Sequence, residues 1–155
     1  MKLAIITDQH FGARKGADYI HKYFKKFYDN IFFPYLEKNK IDTVVDMGDT
    51  FDNRRNIDLA TLEWAKKNYY DRLQAMGITV HTIVGNHTAY YKDTNEVNTV
   101  ELLLKEYDNV EVYSEPTTIN LGGLDILMLP WINEENKLQT LEMMDTTSAD
   151  VIMGH

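Results

Sequence analysis

The segment TVVDMGDTFD at residues 43–52 is the most informative part of the sequence, because an apolar run gives way abruptly to glycine and aspartates. Its first half, Thr43–Met47, has the length and composition of a buried strand. Its second half, Gly48-Asp49-Thr50-Phe51-Asp52, predicts a loop. The same change occurs at three other places: Lys2–Thr7 before Asp8-Gln9-His10, Ile78–Val84 before Gly85-Asn86-His87, and Ala149–Met153 before Gly154-His155.

Helical patterns lie between these strands. Apolar residues three and four apart predict an amphipathic helix over Ile20–Tyr35, which Pro34 should kink or restart. Its apolar positions are Tyr23, Phe24, Phe27, Ile31 and Tyr35. Leu59–Met76 predicts a second helix, with Asp58 as its N-cap and Gly77 as its left-handed terminator.

The second half of the chain contains shorter elements. The patterns predict helices at Val97–Tyr107 and Glu134–Met144, and strands at Val110–Tyr113, Thr117–Leu121 and Leu124–Leu129. Gly122-Gly123 between the last two strands is a strong hairpin signal. Because strands alternate with helices, we expect one α/β domain over residues 1–155, with layered, largely parallel pairing and an antiparallel hairpin that makes the sheets mixed.

Metal-ligating side chains follow the four buried strands. The carboxyl ends of parallel strands meet at one edge of a sheet, so these segments should converge there. Carboxylate, imidazole and amide groups suit Mn²⁺, Fe²⁺ or Zn²⁺. The candidate metal ligands are Asp8, His10, Asp49, Asn86 and His155. Taken singly, each of these residues is explained as well or better by a turn or a helix cap; it is their joint placement that favours a metal site.

Composition excludes several classes of function. The absence of cysteine excludes disulfides, thiolate metal sites and cysteine nucleophiles. A net charge of −8 argues against an unspecific basic DNA binder. No apolar run is long enough for a membrane span, and the N-terminus lacks the features of a signal peptide, so we expect a cytoplasmic location and no membrane partner. The chain contains no P-loop, nucleophile elbow or Rossmann fingerprint.

Other polar and aromatic residues are weaker candidates for a functional role. His21 is expected on a helix surface, His81 in the core or packed at an edge, and Trp64 and Trp131 in packing contacts. Four basic residues follow two of the ligand motifs: Arg14, Lys15, Arg54 and Arg55. They could hold phosphates that flank a scissile bond, although such short pairs are more often solvated loop charges.

The ordered motifs Asp8-x-His10, Gly48-Asp49-x-x-Asp52, Gly85-Asn86-His87 and Gly154-His155 resemble the signature of calcineurin-like metallophosphoesterases. The form Gly48-Asp49-Thr50-Phe51-Asp52 is similar to that of SbcD-type nucleases. Three further stretches resemble the recombination endonuclease subunits of T-even bacteriophages: residues 81–87, Val112-Tyr113 with residues 116–118, and Leu129-Pro130-Trp131 with residues 134–136.

The resemblance implies a metal-dependent DNA exonuclease and endonuclease subunit of recombination and repair, with two divalent ions, best matched by Mn²⁺. It assigns Asp8, His10 and Asp49 to one ion, and Asp49, Asn86 and His155 to the other. His87 corresponds to the catalytic histidine that serves the leaving oxygen, and Asp52 to a residue near the substrate. The implied partners are DNA and an SMC-like ATPase subunit, a homodimer is allowed, and a phage-encoded protein would act in the host cytoplasm.

The sequence departs from the family pattern at two points. Thr88 stands where an aspartate usually follows Gly-Asn-His, which affects support of His87 but removes no ligand. The family also carries a later Gly-His-x-His motif that is not found here, so we expect a C-terminally incomplete domain with little activity of its own. Two other functions stay open: a phosphatase of protein or small phosphoesters that uses the same site, and a non-catalytic binding scaffold.

Overall fold

The computed structural model of the protein describes residues 1–155 and contains seven strands and seven helices. The strands are β1 Ala4–Ile6, β2 Thr43–Asp46, β3 Thr79–Ile83, β4 Val110–Tyr113, β5 Thr117–Leu121, β6 Leu124–Leu129 and β7 Val151–Gly154. The helices are α1 Ala13–Gly16, α2 Asp18–Phe27, α3 Phe33–Asn39, α4 Leu59–Ala65, α5 Asp71–Ala75, α6 Thr99–Leu104 and α7 Lys137–Thr146. Single π-helical turns at Tyr28–Phe32 and Lys66–Tyr70 join α2 to α3 and α4 to α5.

Two sheets form the centre of the fold. The strands of the first are all parallel, in the order β1-β2-β3-β4. The second has the order β5-β6-β7, in which β5 and β6 are antiparallel and β7 runs parallel to β6. The hairpin predicted at Gly122-Gly123 joins β5 to β6, and both glycines have positive φ. The prediction of an α/β fold with parallel and mixed sheets flanked by helices is confirmed.

The alternation of side chains along the parallel sheet separates two hydrophobic clusters. Val44 and Val80 belong to a large cluster that also takes in Tyr28, Tyr69 and other residues of the α2–α5 helices. Val45 and Ile83 point to the opposite face and pack with Ile126 and Met128 of β6, among others. The layers are therefore helices, parallel sheet and mixed sheet, and the strand ends of both sheets are brought together.

The helix predicted over Ile20–Tyr35 exists, but its buried face was predicted only in part: Phe24 and Phe27 pack against the large cluster. Tyr23, Ile31 and Tyr35 are exposed, whereas the adjoining row Tyr28, Phe32 and Leu36 is buried. Both rows repeat every four residues and both are rich in aromatic side chains, so periodicity does not distinguish them. Pro34 lies in the first turn of α3, as a restart of the helix requires.

His21 was also predicted wrongly, because it is buried rather than on the surface. Its ring stacks on Trp64 with centroids 4.6 Å apart. His81 is buried in β3, as expected, and its Nδ1 lies 2.8 Å from the hydroxyl of Tyr113. Among the helices, none combines the length and apolar character that crossing a membrane requires.

Candidate metal centre

The loops after β1 and β2 lie side by side at the carboxyl edge of the parallel sheet. The amide of Asp8 donates to the Gly48 carbonyl at 3.0 Å, and the amide of His10 donates to the Asp49 carbonyl at 2.9 Å. Asp8, His10 and Asp49 all have positive φ. A left-handed backbone at non-glycine residues is costly, so its repetition here indicates that the surrounding structure holds these side chains in place.

Asp49 occupies the middle of the candidate site, and only 4% of its side chain is exposed. Its carboxylate belongs to two groups of potential ligand atoms, each within 4.8 Å of one another: one with His10 and His87, the other with Asp8 and His155. Both groups share Asp49, as a carboxylate between two cations would. They join Asp8 to His155 and His10 to His87, however, whereas the resemblance assigns Asp8 and His10 to one ion and gives His87 no ligand role.

The side of the site formed by His155 joins the two sheets. Because the Met47 carbonyl can only accept a hydrogen bond, the Nδ1 of His155, 2.9 Å away, must be the protonated nitrogen. Its Nε2 then offers a lone pair, and it faces the Asn86 Oδ1 at 3.0 Å and the Asp49 Oδ2 at 3.4 Å. When His155 is neutral, its Nε2, the Asn86 Oδ1 and the Asp49 Oδ2 therefore face one another with no hydrogen-bond donor among them. A divalent cation fits this set of atoms.

The other side of the site is formed by His10. Its Nε2 lies 3.4 Å from Asp8 Oδ1 and 3.8 Å from Asp49 Oδ2, and its Nδ1 lies 3.3 Å from Asp52 Oδ1. The buried Nδ1 makes no hydrogen bond despite its contact with Asp52, and carboxylates lie beside both ring nitrogens, so these contacts do not select one tautomer. Asp52 was predicted to lie near the substrate; the structure puts its carboxylate beside His10, where it can orient that ring.

His87 is held against both loops. Its amide donates to Asp49 Oδ1 at 2.8 Å, and its Nδ1 donates to the carbonyl of Asp52 at 2.6 Å. The His87 ring meets the His10 ring edge to face, with centroids 4.9 Å apart. Since Nδ1 carries the proton of that hydrogen bond, Nε2 is the nitrogen available for a ligand or a proton transfer.

The charges of Asp49 and His155 are coupled. Burial alone would raise the pKa of Asp49, but contacts with His155 and the His87 amide overcome it and lower the pKa below its usual value. The interaction with Asp49 raises the pKa of His155 in turn, against the opposing effect of burial. A negatively charged Asp49 at neutral pH follows, as a metal ligand requires.

Gly85 explains how the loop after β3 approaches the loop after β2 so closely. A Cβ atom on Gly85 would lie 2.5 Å from the Asp49 amide nitrogen and closer still to the Asp49 carboxylate. Any side chain at this position would push Asn86 and His87 away from Asp49. Glycine is therefore required here for close packing rather than for an unusual φ.

The basic residues divide into two pairs. Arg54 donates from Nη2 to the Asn86 carbonyl at 2.5 Å and lies over the Trp131 ring, with its Cζ 5.6 Å from the centroid. Arg55 lies over the ring of Tyr90. Arg14 and Lys15 both have positive φ, and Lys15 lines a cavity of about 330 Å³ beside Asp52.

The sequence patterns did not identify Asp46 as a residue that supports the site. It is completely buried beneath the loops and accepts hydrogen bonds from Gln9 Nε2 at 2.9 Å, the Gly48 amide at 3.1 Å and Thr50 Oγ1 at 3.2 Å. It thereby fixes the segments that carry Asp8, His10 and Asp49. The available signal was a charged residue inside an otherwise apolar strand, which requires buried partners.

Comparison with known proteins gives the same family over the whole chain. The family model of calcineurin-like phosphoesterases matches residues 1–154. Exonuclease subunit 1 of Enterobacteria phage T4 is 38% identical over 157 residues, and putative phosphoesterase 078R of Invertebrate iridescent virus 3 is 26% identical over 163 residues. All of this chain is matched in both alignments, but it spans only 45% and 44% of the length of these relatives.

Two solved structures support the fold. A protein of unknown function from Aquifex aeolicus aligns over 97% of this chain and 75% of its own, with a TM-score of 0.52 and 19% identity. The Pseudomonas putida nuclease MPE aligns over 81% of this chain and 52% of its own, with a TM-score of 0.51 and 17% identity. At these identities, the likeness concerns the arrangement of helices and sheets.

Proposed function

The chain belongs to the calcineurin-like phosphoesterase family, and on that premise we propose that it hydrolyses phosphodiester bonds of DNA as the nuclease subunit of a recombination and repair complex. Two divalent cations, with Mn²⁺ as the best match, would be held by Asp8, His10, Asp49, Asn86 and His155. The observation that carries the proposal is the shared position of Asp49 between two groups of ligand atoms. The similarity to a phage exonuclease subunit favours DNA as the substrate.

The cations, when bound, would supply the Lewis acidity that polarises phosphate oxygens and activates water. The chain itself contributes orientation. The Asp52 carbonyl holds the His87 ring through a hydrogen bond, the Asp52 carboxylate lies 3.3 Å from His10 Nδ1, and Asp46 fixes the loops below them. Asp52 is thus proposed as a positioning residue.

His87 is proposed as the general acid. A leaving 3′ oxygen gains negative charge as its bond to phosphorus breaks, and a protonated imidazole can neutralise that charge. The hydrogen bond from Nδ1 to the Asp52 carbonyl fixes the ring and leaves Nε2 to carry the transferred proton.

The partners follow from the relative rather than from this chain. Exonuclease subunit 1 is by its name one subunit of an exonuclease. We therefore extend the proposal to a second subunit, which the sequence resemblance identifies as an SMC-like ATPase, and to action in the cytoplasm of a host cell.

The test compares two substrates. Full-length protein with Mn²⁺ is assayed against linear duplex DNA and against p-nitrophenyl phosphate, beside the variants Asp49→Ala and Asp108→Asn. The expected result is Mn²⁺-dependent DNA cleavage that Asp49→Ala abolishes. Asp108→Asn, which changes an exposed aspartate far along the sequence, should leave it unchanged.

The outcomes separate the competing functions. Hydrolysis of the small ester without DNA cleavage would indicate a phosphatase. DNA cleavage by Asp49→Ala within a few-fold of the unmodified protein would contradict the two-cation site. Neither activity, with Mn²⁺ bound, would indicate a binding scaffold.

A further inference from the structure

Two exposed tyrosines follow His87 closely along the chain. Tyr90 and Tyr91 are 39% and 50% exposed, and their rings meet edge to face with centroids 4.8 Å apart. Arg55 covers the Tyr90 ring, with its Cζ 5.7 Å from the centroid. The result is a pair of perpendicular, partly uncovered aromatic rings with a guanidinium over one of them.

The tyrosine pair and Arg55 both lie close along the chain to residues of the candidate site. Tyr90 is the third residue after His87, so their Cα atoms lie at most about 11 Å apart. Arg55 lies three residues after Asp52, whose carbonyl accepts the hydrogen bond from His87. Arg54 in turn binds the carbonyl of Asn86.

The loop that carries the two tyrosines is well fixed. Its backbone is tied by hydrogen bonds from Tyr90 to Val97 at 2.8 Å and from Thr99 to Thr88 at 2.9 Å. The buried Asn95 donates from Nδ2 to the carbonyl of Trp131 at 2.9 Å. Little ordering entropy would therefore be lost when a ligand binds the rings.

We propose that Tyr90, Tyr91 and Arg55 form a stacking platform, which holds an unpaired base of single-stranded DNA beside the metal centre. The proposal rests on the proposed nuclease function and adds a preference for single-stranded segments. Tyr91 supplies ring surface for the base, and Arg55 is placed to contact the adjoining phosphate.

The chemistry of the platform selects for unpaired bases. Stacking of a base on an aromatic ring is tolerant of sequence, because every base has a π-face. In an intact duplex those faces are already covered by neighbouring base pairs. An exposed pair of aromatic rings with an arginine therefore favours frayed ends and single strands.

The first measurement is binding without catalysis. Fluorescence anisotropy in EDTA and low salt compares a labelled single-stranded oligonucleotide with its duplex, for the unmodified protein and for Tyr91→Leu, Tyr91→Phe and Tyr35→Leu. Tyr91→Leu should weaken single-strand binding by about 5- to 30-fold, as loss of base–aromatic stacking does. Tyr91→Phe keeps the ring and Tyr35→Leu changes an exposed tyrosine of α3, so both should stay within about 2-fold.

A second measurement needs no variant. An oligonucleotide made entirely of abasic residues keeps every phosphate but has no bases, so the unmodified protein should bind it more weakly by the same factor. Equal binding of normal and abasic strands, or an equal effect of Tyr91→Leu on duplex and single strands, would overturn the platform.

Failure of the platform and failure of the nuclease function give different results. DNA binding and cleavage that Tyr91→Leu leaves unchanged reject the platform alone. Hydrolysis of bis(p-nitrophenyl) phosphate without binding or cleavage of DNA rejects the nuclease function and the platform together.

Discussion

At the scale of single residues, two histidines of the site have their Nδ1 protons assigned by backbone carbonyls. His155 donates to Met47 and His87 donates to Asp52. Both rings therefore present Nε2 to the site, but only His155 has Asn86 Oδ1 and Asp49 Oδ2 within 3.4 Å of it. The same local geometry can thus serve a metal ligand in one case and a proton donor in the other.

A variant of His87 tests whether this residue is a proton donor or a metal ligand. We predict that His87→Ala in the full-length protein keeps Mn²⁺ affinity near that of the unmodified protein while the cleavage rate falls about 10²–10⁴-fold, the usual effect of losing a general acid. The measurements are calorimetric Mn²⁺ titration and single-turnover cleavage of linear duplex DNA. His87 also lies close to His10 and Asp49, so a large loss of affinity would make it a ligand, and an unchanged rate would remove it from catalysis.

Asp46 gives a prediction about pH. Burial raises its pKa to about 7, against the three hydrogen bonds that it accepts. The unfolded chain loses this proton near its ordinary pKa of about 3.9. As pH rises between those values, the folded state binds more protons than the unfolded state, so stability falls with rising pH and levels off above about 7.

Asp46→Asn should remove this dependence. The quantity to follow is the difference in the free energy of unfolding between the unmodified protein and the variant, measured in EDTA. This difference should fall by on the order of 2–4 kcal/mol from about pH 4 to pH 7. Urea denaturation at several pH values measures it, and because slopes are compared, a constant cost of repacking cancels. A difference that is flat with pH, or that rises, would contradict the raised pKa.

At the scale of elements, the junctions between strands and loops position the ligands. Gly85 follows β3 and lies against Asp49, and a methyl group there would overlap the Asp49 carboxylate. We predict that Gly85→Ala costs about 1–3 kcal/mol of stability through overpacking and also weakens Mn²⁺ binding at least several-fold. Thermal melting and calorimetry measure the two effects separately.

Gly77→Ala is the matched control. Gly77 terminates α5 with a φ of +67° and has open space around its Cα, so alanine there strains the backbone without touching the site. It should lower stability by about 1 kcal/mol and leave Mn²⁺ affinity unchanged. Equal metal affinity in both variants would show that close packing at Gly85 does not position the ligands.

The elements also show what sequence can and cannot predict. Caps and turns were predictable, because Asp58 accepts the Thr61 amide at 2.8 Å and Gly77 takes the left-handed conformation for reasons local to each residue. The buried face of the α2–α3 helix could not be predicted in full, because two neighbouring rows of side chains are both apolar. Tertiary packing chose between them. Asp46 was missed for a related reason: its partners Gln9 and Thr50 come from different loops, and only their meeting makes its burial tolerable.

At the scale of the whole molecule, the candidate ligands tie the two sheets together. Asp8, Asp49 and Asn86 follow strands of the parallel sheet, whereas His155 follows β7 of the mixed sheet. A cation held between them would link segments up to 147 residues apart in the sequence (155 − 8). Such a link exists only in the folded state, so metal binding should stabilise the fold as a unit.

We therefore predict that saturating Mn²⁺ raises the melting temperature. At 100 times the dissociation constant, binding adds about 2.7 kcal/mol, which for a domain of this size corresponds to roughly 5–10 °C. Because this stabilisation acts through the ligands, Asp49→Ala and His155→Ala should lose most of the shift. Asp108→Asn should keep it, and His87→Ala should keep it too if that residue serves only the leaving group. Differential scanning calorimetry with and without Mn²⁺ measures all four variants, and an equal shift in Asp49→Ala would mean that the stabilising ion binds elsewhere on the protein.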